Sequence, residues 1–192
     1  MDYSEIFKMP KPVNIKARTS SITNSFVSGI IPCIQPSDDE IQAVLKILGM
    51  DKDTTYCAYC GDKHTEWDHF RPLVIGKRPT GYISEINNLV PSCGKCNQSK
   101  GNKNWKEWIL SDAKLSPKHR NIANLDTRIH YLEEFERHTK PIKLNIESII
   151  GSDMWDQHWA NCASIHKLMS DSQELSNHIR DKLKEYVDVT QN

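Results

Sequence analysis

Residues 57–100 read CAYCGDKHTEWDHFRPLVIGKRPTGYISEINNLVPSCGKCNQSK and hold the strongest pattern in this 192-residue chain. Two CxxC pairs frame the segment. Two such pairs can supply four thiolates at tetrahedral positions, which is the preference of structural Zn²⁺. We therefore expect a structural zinc site formed by Cys57, Cys60, Cys93 and Cys96. The alternative is two unrelated reduced pairs, or a redox pair.

The segment between the pairs is long for a simple zinc ribbon, with 32 residues from Cys60 to Cys93. It must therefore be a structured insert. A zinc ion with four cysteine ligands has no open position, so this site should stabilise the fold and not catalyse. His64 is close enough in sequence to compete as a ligand, but we interpret it as a loop residue because four cysteines already complete the set.

The N-terminal sequence and the apolar content of the chain indicate the cellular compartment. The N-terminus has neither a basic region nor an apolar stretch typical of a signal peptide, and no apolar run reaches the ~18 residues of a membrane span. We therefore expect a cytoplasmic protein without membrane contact, in which reduced cysteines favour metal over disulfides. Two further cysteines, Cys33 and Cys162, are isolated and expected to be small buried hydrophobes.

Charge is distributed unevenly, although the formal net charge is zero. From Arg71 to Lys106 there are seven basic residues and one acidic residue, Glu85. Such a strip can attract phosphate groups locally, even in a protein that is neutral overall. A solvated lysine-rich loop is the alternative interpretation.

The order of motifs resembles the HNH endonucleases, also called ββα-metal or His-Me finger nucleases. The shared elements are a CxxC pair, an Asp-His pair at a strand end, a Gly/Pro loop, Asn-Leu, and CxxC followed by Asn-x-x-Lys-Gly. The resemblance covers about 45 residues and leaves the flanking helices unexplained. With asparagine at the third position, Asn97, the chain resembles the H-N-N variants of that family.

The chemistry of phosphodiester hydrolysis gives each residue a role. His69 suits the general base, since imidazole accepts protons near neutral pH. The resemblance implies that Asp68 and Asn97 bind a catalytic Mg²⁺ or Mn²⁺, for which oxygen ligands are suited. It also implies that Asn88 orients the histidine, with the adjacent Asn87 as the competing candidate.

Several basic residues are candidates for substrate contacts. Lys100 falls one turn after Asn97, where it could meet a phosphate; a solvated lysine is the alternative. The loop of residues 71–86 is longer than a minimal hairpin needs, and we expect it to touch the DNA backbone, unless it only links strands. The expected contact residues are Lys100, Arg71, Lys77, Arg78 and Lys103.

Helical patterns surround the cysteine segment. We expect an arm with little regular structure at residues 1–36, a nuclease core at 37–112 that opens with a helix capped by Ser37, and a helical region at 113–192 packed on the core. Ser116-Pro117 should begin one of its helices, and Ser170 is a candidate restart point within another. The expected fold class is α+β, a small zinc-stapled ββα-metal core flanked by α-helices.

These features favour a metal-dependent DNA endonuclease that leaves 5′-phosphate and 3′-hydroxyl ends, as the resemblance implies. A type II restriction-like enzyme is the favoured biology. One such site cuts one strand, so double-strand cleavage predicts a homodimer, with the C-terminal helices as the candidate contact. The alternatives are a non-catalytic zinc-dependent DNA-binding module, and a nuclease or toxin acting on RNA or structured nucleic acid.

Overall fold

The computed structural model describes residues 6–190 and has an α+β fold. Short 3-10 turns occur at Ile15–Arg18 and Ile86–Asn88. The strands are β1 (Glu66–His69), β2 (Val74–Ile75), β3 (Arg78–Pro79) and β4 (Leu89–Ser92). The helices are α1 (Thr19–Gly29), α2 (Asp38–Ile47), α3 (Gly94–Lys100), α4 (Trp105–Ile109), α5 (Leu125–His138), α6 (Ile146–Ile150) and α7 (Ser152–Thr190).

The backbone forms two compact units. One runs from Val27 to Gly151 and contains all four strands and helices α2 to α6. The other combines the described residues up to Phe26 with those from Ser152 onward. No helix among residues 6–190 is both long and apolar enough to span a bilayer.

Two small antiparallel pairings position the polar residues of the Val27–Gly151 unit. Strand β1 pairs with β4, so that Asp68 lies opposite Val90 and His69 opposite Leu89. Strands β2 and β3 form a hairpin whose two turn residues, Gly76 and Lys77, both have positive φ. This conformation matches the twist of the paired strands but is unusual for lysine.

Aromatic side chains fill the core of this unit. Phe70 lies between Trp105 and Phe135, with ring centroids 5.2 and 5.1 Å away. Tyr59 packs edge-on against Trp108 at 5.2 Å. All five side chains are at most 2 % exposed. Phe70, which directly follows β1, is thus packed between helices α4 and α5.

Helix α2 begins where the sequence pattern indicates. The Ser37 hydroxyl accepts a hydrogen bond from the Glu40 amide, and the Glu40 carboxylate accepts one from the Ser37 amide. This capping box satisfies amide groups at the helix N-terminus that have no intrahelical partner. Val44 and Leu45 are buried on its inner face.

In the unit that contains α7, the structure differs from two expectations, one for the N-terminal arm and one for Ser170. Part of the N-terminal arm is regular, because residues 15–29 form a 3-10 turn and helix α1, whereas residues 7–14 have no regular structure. Helix α7 is continuous through Ser170, with no restart. Hydrogen bonds hold the pieces together: the Ile15 amide donates to Gln173 Oε1 at 2.6 Å, and His158 Nε2 lies 3.0 Å from the Phe26 carbonyl.

Two further expectations are wrong. Ser116 does cap one turn, accepting from the His119 amide, but the long helix begins at Leu125. Asn121 and Asn124 both adopt positive φ and interrupt the helical path before that point. Cys33 is exposed, whereas Cys162 is buried as expected.

Candidate active site and metal centre

The four paired cysteines come together in one cluster. All four are buried, and their sulfur atoms lie within 4.8 Å of one another. Cys60 Sγ and Cys93 Sγ are 3.6 Å apart. Zinc–sulfur bonds of about 2.3 Å in a tetrahedron separate the sulfurs by roughly 3.8 Å. The cluster therefore fits a zinc ion in size and in ligand type.

Local backbone structure builds this cluster. The first pair closes a turn in which the Gly61 amide donates to the Cys57 carbonyl, and Gly61 has φ of 80°. The second pair spans the start of α3, where Cys93 is the N-cap residue. The Ala58 amide donates to the Pro91 carbonyl and so ties the first turn to β4.

The pKa values of the Cys57 and Cys96 thiols are shifted in opposite directions. Hydrogen bonds lower the pKa of Cys57 to about 3, and the largest contribution comes from the Cys60 side chain. The hydrogen bond with Cys57 makes the largest contribution to raising the pKa of Cys96. Arg120 lies beside the cluster, with Nη1 at 3.5 Å from Cys96 Sγ and Nη2 at 2.8 Å from Asp62 Oδ2. A guanidinium at this distance stabilises thiolate charge, which metal binding requires.

His64 lies outside the cluster. Its Nδ1 atom is 3.1 Å from the Thr55 carbonyl oxygen, a contact within the loop before β1. Among the described residues, the group within ligand distance of one metal consists of the four cysteines alone. His64 therefore has a local structural contact in place of a metal.

Asp68 is the centre of a buried polar group. The Tyr59 hydroxyl donates to Asp68 Oδ2 at 2.7 Å, and Lys100 Nζ lies 3.0 Å from the same oxygen. Lys100 Nζ also donates to the His69 carbonyl at 2.8 Å. The Lys100 side chain is fully buried and that of Asp68 is 5 % exposed. Helix α3 is thus fixed to the end of β1 by one ammonium group.

This arrangement places Lys100 differently from both interpretations of the sequence. A fully buried ammonium is neither a solvated lysine nor a surface contact for phosphate. Burial raises the pKa of the Asp68 carboxyl and lowers that of the Lys100 ammonium, while each partner's charge opposes the other's shift. Burial and the Asp68 charge also raise the pKa of Tyr59 well above its usual value, so its hydroxyl stays a donor.

His69 faces a partner that the sequence did not indicate. Its Nε2 atom lies 2.8 Å from Ser84 Oγ. The backbone of Ser84 is itself fixed, because its carbonyl accepts from the Ile34 amide and its amide donates to the Pro32 carbonyl. Burial, with a smaller effect of the Lys100 charge, lowers the pKa of His69 to about 4. The imidazole is therefore neutral at pH 7.

The two adjacent asparagines have different partners. The Asn88 side chain is buried and bonds twice to the backbone of Arg71, accepting from its amide at 2.9 Å and donating to its carbonyl at 3.1 Å. The Phe70 amide donates to the Asn88 carbonyl. Asn87 instead donates to the Glu85 carboxylate at 3.0 Å. Asn88 is thus the one that fixes the chain just after His69.

Asn97 lies on α3 in the turn before Lys100 and is half-buried. Its side-chain amide makes no hydrogen bond with the described residues. Asp68 Oδ1 likewise accepts none within residues 6–190, in contrast to Oδ2. A carboxylate oxygen and an amide oxygen form a donor set of the type that binds Mg²⁺ or Mn²⁺. The residues therefore fit a hard divalent cation in their chemistry.

The other basic candidates have diverse surroundings. Lys77 is exposed at the tip of the β2–β3 hairpin, beside the exposed Arg78. Arg71 is half-buried, stacks on the Phe70 ring and donates to the Glu136 carbonyl, but its buried Nη1 atom has no hydrogen-bond partner among residues 6–190. Lys103 Nζ donates to the Ser99 carbonyl at the end of α3.

Ser84 and Tyr59 are the site residues that sequence reasoning missed. Ser84 lies 15 residues after His69 with no motif around it, so no signal in the sequence indicated the contact. Tyr59 had one available signal, because a tyrosine between two metal-binding cysteines is held close to the cluster. Its carboxylate partner follows only from the fold.

Comparison with known proteins gives one match. No curated protein and no solved structure matches this chain. The model of a family described as "HNH endonuclease" matches residues 57–103, which include the cysteine cluster, Asp68, His69, Asn88 and Asn97. A domain of this kind indicates a nuclease or a nucleic-acid-binding function. Residues 57–103 of this protein are therefore similar to the HNH endonuclease family over about a quarter of the chain.

Proposed function

We propose that this protein is a metal-dependent DNA endonuclease that hydrolyses phosphodiester bonds to 5′-phosphate and 3′-hydroxyl ends. The observation that carries the proposal is the position of His69. Its imidazole lies at the end of β1, 2.8 Å from Ser84 Oγ through Nε2, and the residue directly follows Asp68 in the chain. A purely structural zinc domain has no need of this arrangement.

His69 acts as the general base in this proposal. A base needs one unprotonated ring nitrogen. The proposal assigns the tautomer with the proton on Nε2, which donates to Ser84 Oγ and leaves Nδ1 to accept a proton from water. The pKa near 4 keeps that nitrogen unprotonated at neutral pH. Asn88 fixes the backbone of Arg71 and thereby the exit of the chain from His69.

Asp68 and Asn97 would hold a divalent cation, Mg²⁺ or Mn²⁺. When bound, such an ion supplies Lewis-acid stabilisation of the leaving 3′ oxygen. Asp68 offers Oδ1 for this purpose, since Oδ2 is shared by Tyr59 and Lys100. The four cysteines hold the second metal, a structural Zn²⁺, outside the reaction.

A pH titration tests the environment of His69. We expect the His69 ring signals, assigned by comparison with His69→Ala, to keep their neutral-imidazole shifts until about pH 5 in an NMR titration. A histidine in the unfolded chain has a pKa of about 6.5. Because the pKa of His69 is lowered in the folded state, the unfolded chain binds more protons between about pH 4 and pH 6.5. Stability should therefore fall as the pH drops from 6.5 towards 4. A His69 midpoint at 6.5 would contradict this environment.

The β2–β3 hairpin is the proposed DNA contact. Its tip presents Lys77 and Arg78 to solvent, where they can neutralise phosphate charge. We expect the double variant Lys77→Ala/Arg78→Ala to bind DNA more weakly. The negative slope of the logarithm of the association constant against the logarithm of salt concentration should become shallower by about 2. Fluorescence anisotropy at several salt concentrations measures both. Lys52→Ala, an exposed lysine outside residues 57–103, is the control; equal slopes for all proteins would exclude this contact.

Double-strand cleavage, and with it a type II restriction-like role, requires two copies of a site that cuts one strand. We propose a homodimer through α7. Its apolar stripe is 50–70 % exposed, and its residues are spaced by seven, four, four and three positions, which suits packing against a second helix. Helix α7 carries seven acidic and four basic residues, which disfavours DNA as the occupant. The stripe consists of Leu168, Leu175, Ile179, Leu183 and Tyr186.

Two other functions are compatible with an HNH domain: DNA binding without catalysis, and cleavage of RNA or structured nucleic acid. Supercoiled plasmid, single-stranded DNA and RNA should be compared as substrates with Mg²⁺ or Mn²⁺. The proposal requires cleavage of DNA, and the ratio of nicked to linear plasmid shows whether one or both strands are cut. Cleavage confined to RNA would favour the toxin-like alternative.

A further inference from the structure

We infer that Tyr59 is a positioning residue that links the zinc centre to the metal-binding carboxylate of Asp68. The inference rests on the proposed function, because it concerns the ion that Asp68 would hold. It gives a role to a side chain inside the first cysteine pair that zinc binding does not need.

Tyr59 has little freedom to move. It lies between Cys57 and Cys60, both in the buried metal cluster, so that a zinc ion bound there fixes its backbone on either side. Its side chain is fully buried, and its ring meets Trp108 edge-on at 5.2 Å. The phenol oxygen is therefore held in place by the zinc turn below it and by the core beside it.

The Tyr59 hydroxyl contacts one particular oxygen of Asp68. It donates to Oδ2 at 2.7 Å, and Lys100 Nζ approaches that same oxygen at 3.0 Å. Two donors on one oxygen fix the rotation of the carboxylate about its terminal bond. Oδ1 makes no hydrogen bond with the described residues, so it is the oxygen left for a cation.

The two donors differ in origin. Lys100 lies at the end of α3, the helix that carries Asn97, and reaches Asp68 from that side. Tyr59 reaches it from the first cysteine pair. Partners that orient a metal ligand in this way typically change metal affinity or activity by 10–100-fold when they are removed. With both metals bound, the zinc centre would thus influence the binding of the second ion through the Tyr59 hydroxyl.

Tyr59→Phe tests this role, because it removes the hydroxyl and keeps the buried ring. We expect the variant to retain one zinc per chain and a melting temperature close to wild type. Its affinity for Mn²⁺, titrated by EPR on the zinc-loaded full-length protein, should fall about tenfold. Asp68→Ala defines the Mn²⁺ that binds elsewhere. The cleavage rate of Tyr59→Phe at low Mn²⁺ should fall and should recover at high Mn²⁺.

Tyr56→Phe is the matched control. Tyr56 immediately precedes the first cysteine, and its ring stacks with the Arg128 guanidinium at 5.1 Å. Within residues 6–190 its hydroxyl has no contact with Asp68 that the substitution could remove. This variant should bind Mn²⁺ as wild type does. If Tyr59→Phe also bound Mn²⁺ with wild-type affinity, the inference would be wrong. The same holds if Asp68→Ala and wild type bound Mn²⁺ equally.

Failure of the Tyr59 positioning role and failure of the proposed endonuclease activity give different results in this experiment. If the wild-type protein binds Mn²⁺ through Asp68 and Tyr59→Phe weakens that binding, the positioning role stands even when no DNA is cut. In that case the proposed endonuclease activity would be wrong. If DNA is cut and Tyr59→Phe changes neither Mn²⁺ affinity nor metal dependence, only the positioning role fails.

Discussion

Replacing His69 by alanine should reduce DNA cleavage by 10²- to 10⁴-fold, the range expected for loss of a general base. His69 is the neutral imidazole at the end of β1, and its loss removes the group that accepts a proton from water. Single-turnover cleavage of supercoiled plasmid at saturating Mg²⁺ measures this effect without interference from product release.

The fold should tolerate this change. The side chain is half-buried and makes one hydrogen bond, to Ser84, so its removal should cost about 1 kcal/mol of unfolding free energy. Circular dichroism and DNA binding should stay near wild type. His130→Ala, at an exposed position of α5, is the matched control and should cut normally. If His69→Ala cut as fast as wild type, the base would have to be another residue.

Replacing Cys93 by serine should remove the bound zinc and unfold the active-site region. Structural zinc contributes roughly 10–16 kcal/mol of folding free energy in small peptides, more than the net stability of a typical domain. Cys93 is also the N-cap of α3, which carries Asn97 and Lys100. Loss of this thiolate should therefore separate the groups around Asp68 as well as release the metal.

Metal analysis, circular dichroism and thermal melting check this expectation. The protein should contain one zinc per chain, and the Cys93→Ser variant close to none. Cys33→Ser is the control, because Cys33 is exposed and outside the cluster. A Cys93→Ser protein with one zinc per chain and an unchanged melting temperature would exclude the four-cysteine site.

Local patterns in the sequence predicted the frame of the molecule. Spacing alone indicated the cysteine cluster, because two CxxC turns bring their own ligands together once each turn forms. The cap at Ser37 was likewise predicted, since a capping box depends on residues only three positions apart. The α+β fold class follows from these elements.

Contacts between residues far apart in the chain could not be predicted from the sequence. Lys100 was expected to contact phosphate because it falls one turn after Asn97. That spacing does not show which way the Lys100 side chain points. Only the pairing of β1 with β4 shows that its ammonium group reaches Asp68 and the His69 carbonyl. Ser84 belongs to the same class, because its position depends on residues 32–34.

The errors outside the site have backbone causes. The segment after Ser116 had helical spacing, yet Asn121 and Asn124 take the left-handed conformation that asparagine tolerates better than most residues. The N-terminal segment appeared irregular because polar residues dominate it. Contacts with α7, such as that of Ile15 with Gln173, accompany its helical structure.

Metal-dependent cleavage of supercoiled plasmid by the zinc-loaded protein tests the central claim most directly. With Mg²⁺ or Mn²⁺, agarose gels should show conversion to nicked or linear DNA, and brief addition of EDTA without zinc loss should stop the conversion. Intact plasmid at a molar excess of protein that binds the DNA would contradict the account and identify a binding module without catalysis.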